Sequence, residues 1–258
     1  GYVDFSFVSQ DSSSYLRDLG HNDGLEQLID AVEKIDGVKT ARILYLYPST
    51  TTLNLIDKIA DSKVFVNYFD MPLQHISQNM LKIMKRGKGA EKLIELMNYM
   101  RSKPNSFVRT TFIAGHPGES EEDFEELCSF VEEFGFDRGN VFSYSDEEGT
   151  SAETRDDKIE QELVDERAEI LGDIISQTTI KSLENDIGKS FEVYIDGESE
   201  EHEYLLSARK TIWAPQIDGE IYINDNEDNI PIVFGEIYEV EATQLAGDKL
   251  LAKIIRKV

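Results

Sequence analysis

Cysteine is almost missing: Cys128 is the single one among 258 residues. That excludes an intramolecular disulfide framework and a cysteine-ligated cluster built from these residues alone. It also suits a reducing, cytoplasmic setting. Basic charge is scarce too. Lys and Arg number 26 against 51 Asp and Glu, a formal net charge of −25, and the isoelectric point is about 4.4. Such a field repels nucleic acid phosphates and favours basic partners; a merely soluble acidic surface accounts for the composition equally well. No run approaches the roughly eighteen apolar residues of a membrane span. No secretory leader is visible either, because the opening GYVDFSFV alternates like a strand. It opens without Met, so further sequence is expected upstream.

What is present reads as a globular chain, 40% hydrophobic and 30% charged, long enough for one large domain and a small one. Across residues 1–145, within a first domain expected over 1–155, strand and helix signals alternate. Five apolar or β-rich runs, 3–10, 40–48, 66–74, 106–115 and 139–145, are expected as strands, several apolar on both faces as in a helix-covered parallel sheet. Between them, Leu25, Leu28, Ile29 and Val32 form a helical stripe, as do Leu93, Leu96, Met97 and Met100, and Phe124, Leu127, Cys128 and Val131. Ser120 with Asp123 reads as an N-terminal capping pair, and Cys128 as a small hydrophobe on a core face. Repeated units of this kind give a barrel or a doubly wound layer; periodicity does not choose.

Residues 156–186 read as one charged connecting helix with Ile159, Leu163, Ile170 and Ile174 on one side. Residues 187–258 then carry five segments, FEVYID, EYLLSARK, EIYINDN, IYEVEATQL and LLAKIIRKV, with turn signals at Asp196-Gly197, Asp218-Gly219 and Gly247-Asp248. Five short antiparallel strands suggest a small OB-like barrel.

Ligands of a parallel strand–helix domain meet the carboxyl ends of its strands. Those ends carry Ser9-Gln10-Asp11, Tyr47-Pro48-Ser49, Leu73-Gln74-His75, Gly115-His116-Pro117-Gly118-Glu119 and Tyr144-Ser145. Arg109 lies inside the fourth run, where a charge is costly unless paired. Facing inward it suits a carboxylate ligand; the bland alternative is an edge residue pointing to solvent. His75 and His116 with Asp70 and Glu119 could instead form a metal site of the amidohydrolase kind. Only four histidines exist, none is at paired helical spacing and no third His follows a strand, which speaks against that reading.

DMPLQHIS at 70–77, RTTFIAGHPGES at 109–120, EEDFEEL at 121–127, FDR at 136–138 and FSYSDEEGT at 142–150 resemble, in this order, the central motifs of radical SAM methylthiotransferases. SQDSSSY at 9–15 looks like that family's second barrel strand and loop, and 187–258 like its closing TRAM domain. The resemblance implies a partial TIM-like (β/α)6 radical SAM barrel, strands two to six of which lie in 1–155, followed by an OB-like TRAM β-barrel. It implies S-adenosylmethionine as cofactor and two 4Fe-4S clusters whose cysteine ligands are absent here, so that these residues by themselves should not catalyse. Carried over position by position, Gln74 and Arg109 match polar positions facing the cofactor, Gln10 the second-strand end close to its methionine part, Gly115 a loop whose backbone approaches its adenine side, and Phe142 and Tyr144 the last strand beside it. His116 departs from the family, which usually shows an apolar or aromatic residue there; a packing or pocket-wall role is expected. No catalytic acid, base or metal ligand is nominated.

The family divides between modifiers of a tRNA adenosine and modifiers of an aspartate in a small-subunit ribosomal protein, the twelfth by conventional naming. LQHIS at 73–77 and LYLYPS at 44–49 resemble the second, RimO-type branch. Charge agrees: 187–258 holds fifteen acidic against seven basic side chains, which suits a basic protein partner better than tRNA. In that branch the resemblance implies reductive cleavage of S-adenosylmethionine, hydrogen abstraction at the aspartate β-carbon and methylthio transfer to it. tRNA modification and a non-catalytic binding scaffold stay open as alternatives. Trp213, the sole tryptophan, is either an exposed anchor for the partner or a barrel plug.

Overall fold

The computed structural model describes every residue except Lys88, Glu227 and Asp228 and divides the chain into two compact units, Gly1–Thr178 and Thr179–Val258. Two of the fifteen acids counted above, Glu227 and Asp228, thus lie outside the described residues.

The first unit is built on five parallel strands, β1 (Asp4–Phe7), β2 (Thr40–Ile43), β3 (Phe65–Asp70), β4 (Phe107–Ala114) and β5 (Arg138–Ser143). They are hydrogen-bonded in chain order. A doubly wound sheet reverses its strand order at a switch point. This sheet has no reversal, so the topology is that of a partial barrel. The strands are shorter than the apolar runs that announce them: β2 stops at Ile43, and β3 stops at Asp70, because the chain turns at their carboxyl ends. The expectation of strands apolar on both faces holds for β2, buried throughout, and fails for the edge strands β1 and β5.

Helices α1 (Gly24–Val32), α2 (Leu53–Ala60), α3 (Gln78–Ile83), α4 (Ala90–Arg101) and α5 (Glu121–Phe134) cover the outer face. The three sequence stripes are on α1, α4 and α5, and they form the core with Ile43, Phe69, Val108 and Phe112. Ser120 and Asp123 make the reciprocal capping box. Sequence periodicity missed α2 and α3, which are too short for a long stripe; their start signals are Thr52 and Ser77, whose hydroxyls accept the amides of Leu55 and Met80. On β4 the alternation is plain. Val108, Thr110, Phe112 and Ala114 are buried under helices, whereas Arg109, Thr111 and Ile113 on the other face stay partly open.

The long helix α6 (Gln161–Glu184) corrects one reading. Leu163 and Ile170 are exposed, and the buried stripe is Val164, Arg167, Leu171, Ile175 and Thr178. The sequence hides this stripe because its second member is an arginine. Arg167 is tolerated there because Glu119 receives its guanidinium at 2.8 Å.

The second unit closes five strands, β6 (Ser190–Glu198), β7 (Leu206–Lys210), β8 (Ile221–Asp225), β9 (Ile237–Ala246) and β10 (Lys249–Lys257), into a barrel of order β10-β8-β7-β6-β9. Four pairings are antiparallel; β8 and β10 run parallel. An odd number of strands cannot alternate direction all round a closed ring, so the all-antiparallel expectation had to fail at one seam. Gly247-Asp248 is the β9–β10 turn, with Gly247 at φ +66°. Asp196-Gly197, expected as a turn, instead lies within β6 at a register shift against β7. Trp213 is 2% exposed, which removes the surface-anchor reading and leaves the plug.

Candidate functional site

Two strand ends are held in backbone conformations that side-chain-bearing residues rarely adopt. Beyond β2, Tyr45 has φ +59°; beyond β3, Gln74 has φ +71°. A left-handed non-glycine residue costs on the order of 1–2 kcal/mol, so each needs compensation. The Tyr45 amide donates to Asp70 Oδ2 at 3.0 Å. Gln74 rejoins β4, its amide donating to Thr111 O at 2.8 Å and its carbonyl accepting from Ile113 at 2.9 Å. Met71 still donates to Arg109 O at 2.9 Å, so the bulge falls at residues 72 and 73, and Met71 and Leu73 are buried.

These turns open a cleft at the carboxyl ends of the strands. One lobe, about 410 Å³, is lined by Gln10, Tyr45, Gln74, Arg109, Asn140 and Phe142 among others. A second, about 550 Å³, is lined by Ile113, His116, Tyr144 and Ala152 together with Gln74, Arg86, Thr111 and Phe142, which also line the first. The two are therefore lobes of one cleft. Phe142, 59% exposed, offers at the divide an aromatic face that no ring or cation among the described residues covers. Arg109 points inward with its side chain 11% exposed and its guanidinium 3.7 Å from Asp70, so the solvent-facing alternative is excluded.

In the second lobe, His116 meets Tyr144 edge-on at 5.0 Å, and burial pushes its imidazole below the usual histidine value. Tyr144 donates to Asp146. Burial, reinforced by that hydrogen bond, pushes its phenol up to about 12, so the ring is neutral at physiological pH.

Of the six positions carried over from the resemblance, Gln10, Gln74, Arg109 and Phe142 share the first lobe, and Tyr144 lines the second with Gln74 and Phe142. Gly115 lines neither lobe. Its amide turns to Glu119, 3.1 and 3.2 Å from the two carboxylate oxygens. A Cβ there would come within 2.6 Å of Val164, and φ is +78°. This glycine leaves room for Val164 of α6. Thr111, Asn140, Tyr45 and Arg86 were missed. The first two were legible, since Thr111 follows Arg109 and Asn140 precedes Phe142 at strand period two. Tyr45 and Arg86 sit in turns that periodicity does not reach.

The alternative metal reading dissolves into separate settings. His75 is fully buried; its Nδ1 accepts the amides of Ile76 and Ser77 at 2.9 and 3.1 Å, leaving Nε2 to face Glu119 at 3.4 Å. Asp70 serves Arg109 and Tyr45, and His116 serves Tyr144. Among the described residues no group of three or more His, Cys, Asp or Glu is placed to hold a metal ion. Cys128, half-buried on α5, has its thiol pushed up to about 11 by burial and, secondarily, by Glu119.

Comparison with known proteins agrees with this architecture. Residues 6–131 match the radical SAM superfamily and residues 187–255 the TRAM domain. The chain is 78% identical to the ribosomal protein uS12 methylthiotransferase RimO of Aliarcobacter butzleri (strain RM4018), over 99% of this chain and 58% of that protein. It is 60% identical to the protein of the same name from Sulfurovum sp. (strain NBC37-1), over 100% of this chain and 58% of that one. The RimO of Campylobacter jejuni (strain RM1221) is 53% identical over the same shares. The chain thus spans rather more than half the length of these relatives. It belongs to the family of RimO-type radical SAM methylthiotransferases.

Proposed function

We propose that the protein acts, as part of a full-length enzyme, in methylthiolation of the β-carbon of an aspartate on ribosomal protein uS12, with S-adenosylmethionine bound in the cleft described above. The carrying observation is the convergence of Gln10, Gln74, Arg109 and Phe142 on one lobe. The fit is chemical. An adenosyl amino acid carries a carboxylate, which the largely buried Arg109 can receive, and a flat base, which Phe142 and the His116–Tyr144 pair can flank. Once bound, the cofactor supplies radical chemistry; these residues orient it and keep water from its reacting end.

The two 4Fe-4S clusters of the reading do not fit these residues. The one cysteine has a raised thiol on a core-facing helix, so no step is routed through a cluster and the 258 residues alone are expected to be inactive. The partner reading rests on charge. Asp196, Glu198, Glu200, Glu201 and Glu220 rim a cavity of about 670 Å³ on the TRAM barrel, which suits a Lys- and Arg-rich ribosomal protein and repels tRNA. A ribosomal target places the reaction in the cytoplasm; in the described residues no helix is long and apolar enough to cross a membrane.

The test is expression of the full-length protein in a host lacking its own such enzyme, with intact-mass analysis of uS12 and nucleoside analysis of tRNA. A methylthio gain on uS12 at an aspartate is expected. A gain on a tRNA adenosine alone, or on neither, would overturn the reading.

A further inference from the structure

We infer that Arg86 is the carboxylate-recognising residue of the cleft for the target aspartate, distinct from the arginine that serves the cofactor; this rests on the reading above. In a chain with about two acids for every base, most arginines of the first unit meet a carboxylate, Arg42 at Asp4, Arg101 at Asp137, Arg109 at Asp70, Arg155 at Asp157 and Arg167 at Glu119, while Arg17 and Arg138 donate to the backbone carbonyls of Thr50 and Asp137. Arg86 is half-buried, lines both lobes of the cleft, and among the described residues has no carboxylate partner. Its guanidinium lies over the Tyr47 ring, 5.2 Å from the centroid. Stacking of this kind orients the planar group while leaving its edge N–H donors free for a ligand.

The position is built, not incidental. Helix α3 ends with Lys85 in the left-handed region at φ +55°. The Lys85 amide donates to Lys82 O at 3.2 Å and the Arg86 amide to Leu81 O at 2.8 Å. That pair of bonds is the Schellman ending, normally made with glycine at the left-handed position. It directs the chain so that Arg86 follows the helix at a fixed angle. Two carboxylates must enter this cleft in the proposed reaction, one on the cofactor and one on the target. Arg109 lies deep on β4 beside Asp70; Arg86 stands on a loop, at the boundary of the two lobes. An aspartate arriving from outside meets Arg86. Holding its carboxylate there fixes the adjacent β-carbon, and it discriminates aspartate from asparagine, which cannot form the charged two-pronged pair.

The test uses this 258-residue chain with arginine side chains labelled at nitrogen, titrated with N-acetyl-L-aspartyl-N′-methylamide, with its asparaginyl counterpart, and with S-adenosylmethionine. Arg86→Gln assigns the Arg86 guanidinium signal. The expected result is a saturable Arg86 shift with the aspartyl probe, at least tenfold weaker with the asparaginyl probe, and retained when S-adenosylmethionine is present. In the two variants, which lack that signal, binding is followed on the N-methyl signal of each probe: Arg86→Lys should keep a weakened preference for aspartyl and Arg86→Gln should abolish it, with unchanged thermal unfolding reporting an intact fold. Equal response to both probes overturns the inference. So does an Arg86 signal that S-adenosylmethionine shifts and thereby closes to the aspartyl probe, since the arginine would then serve the cofactor. Because no cluster or turnover is needed, a negative result here is separable from failure of uS12 to gain a methylthio group.

Discussion

The guanidinium of Arg109 lies 3.7 Å from Asp70 Oδ2, and that same oxygen accepts the amide of Tyr45 at 3.0 Å. One nearly buried carboxylate thus ties the carboxyl ends of β2 and β3 to β4, and Asp70 and Arg109 are register partners across two strands. Asp70→Ala should destabilise the first unit by about 3–5 kcal/mol, the usual cost of stranding a buried charge. Asp70→Asn should cost less, because its amide oxygen can still receive Tyr45. Urea unfolding decides: coincident midpoints for the two variants would show that the Tyr45 bond contributes nothing.

Gly115→Ala combines a left-handed φ of +78° with a Cβ 2.6 Å from Val164. A loss of about 1–3 kcal/mol is expected from strain and overpacking. Adding Val164→Ala should recover the steric part and leave the backbone part. Full recovery in the double variant would mean that the backbone is not strained there.

Arg167→Met removes the partner of a buried carboxylate, since Glu119 receives Arg167 at 2.8 Å. The single change should cost about 3–5 kcal/mol, and Arg167→Met with Glu119→Gln substantially less. Chemical denaturation of the four proteins forms a double-mutant cycle whose coupling should exceed about 1 kcal/mol.

Asp123 sets an acid dependence. Burial by itself would raise its carboxyl, but the hydroxyl of Ser77, the side-chain amide of Asn79 and the Ser120 amide and hydroxyl together hold it below the usual value. A lowered folded pKa gives stability that is complete above the unfolded value of about 3.9 and is lost as pH falls through the folded one. Urea midpoints should therefore decline below about pH 4, and Asp123→Asn should flatten that decline. A decline of the same steepness in the variant would assign it to other carboxylates.

Cys128 should be nearly inert to alkylation at pH 8, its thiol having been pushed up to about 11 by burial. Labelling with a thiol reagent should accelerate close to tenfold per pH unit between pH 8 and 10 while the fold persists. Fast labelling at pH 7 would contradict the placement.

The helix stripes of α1, α4 and α5, the Ser120–Asp123 box and the existence of the five strands, though not where β2 and β3 end, were legible in the sequence because each signal is local: three or four residues apart on a helix, two on a strand. The same period, followed further along β4 and β5, would have found Thr111 and Asn140. Tertiary structure decided the rest. It buried Arg167 on α6 because Glu119, 48 residues away, is there to receive it, and it set Gly115 against Val164 of α6. It made one barrel seam parallel, and it left Arg86 over Tyr47 facing both lobes. Periodicity reports which face of an element is apolar. Where a charge finds its counterpart, or fails to find one, depends on chain segments brought together only by folding.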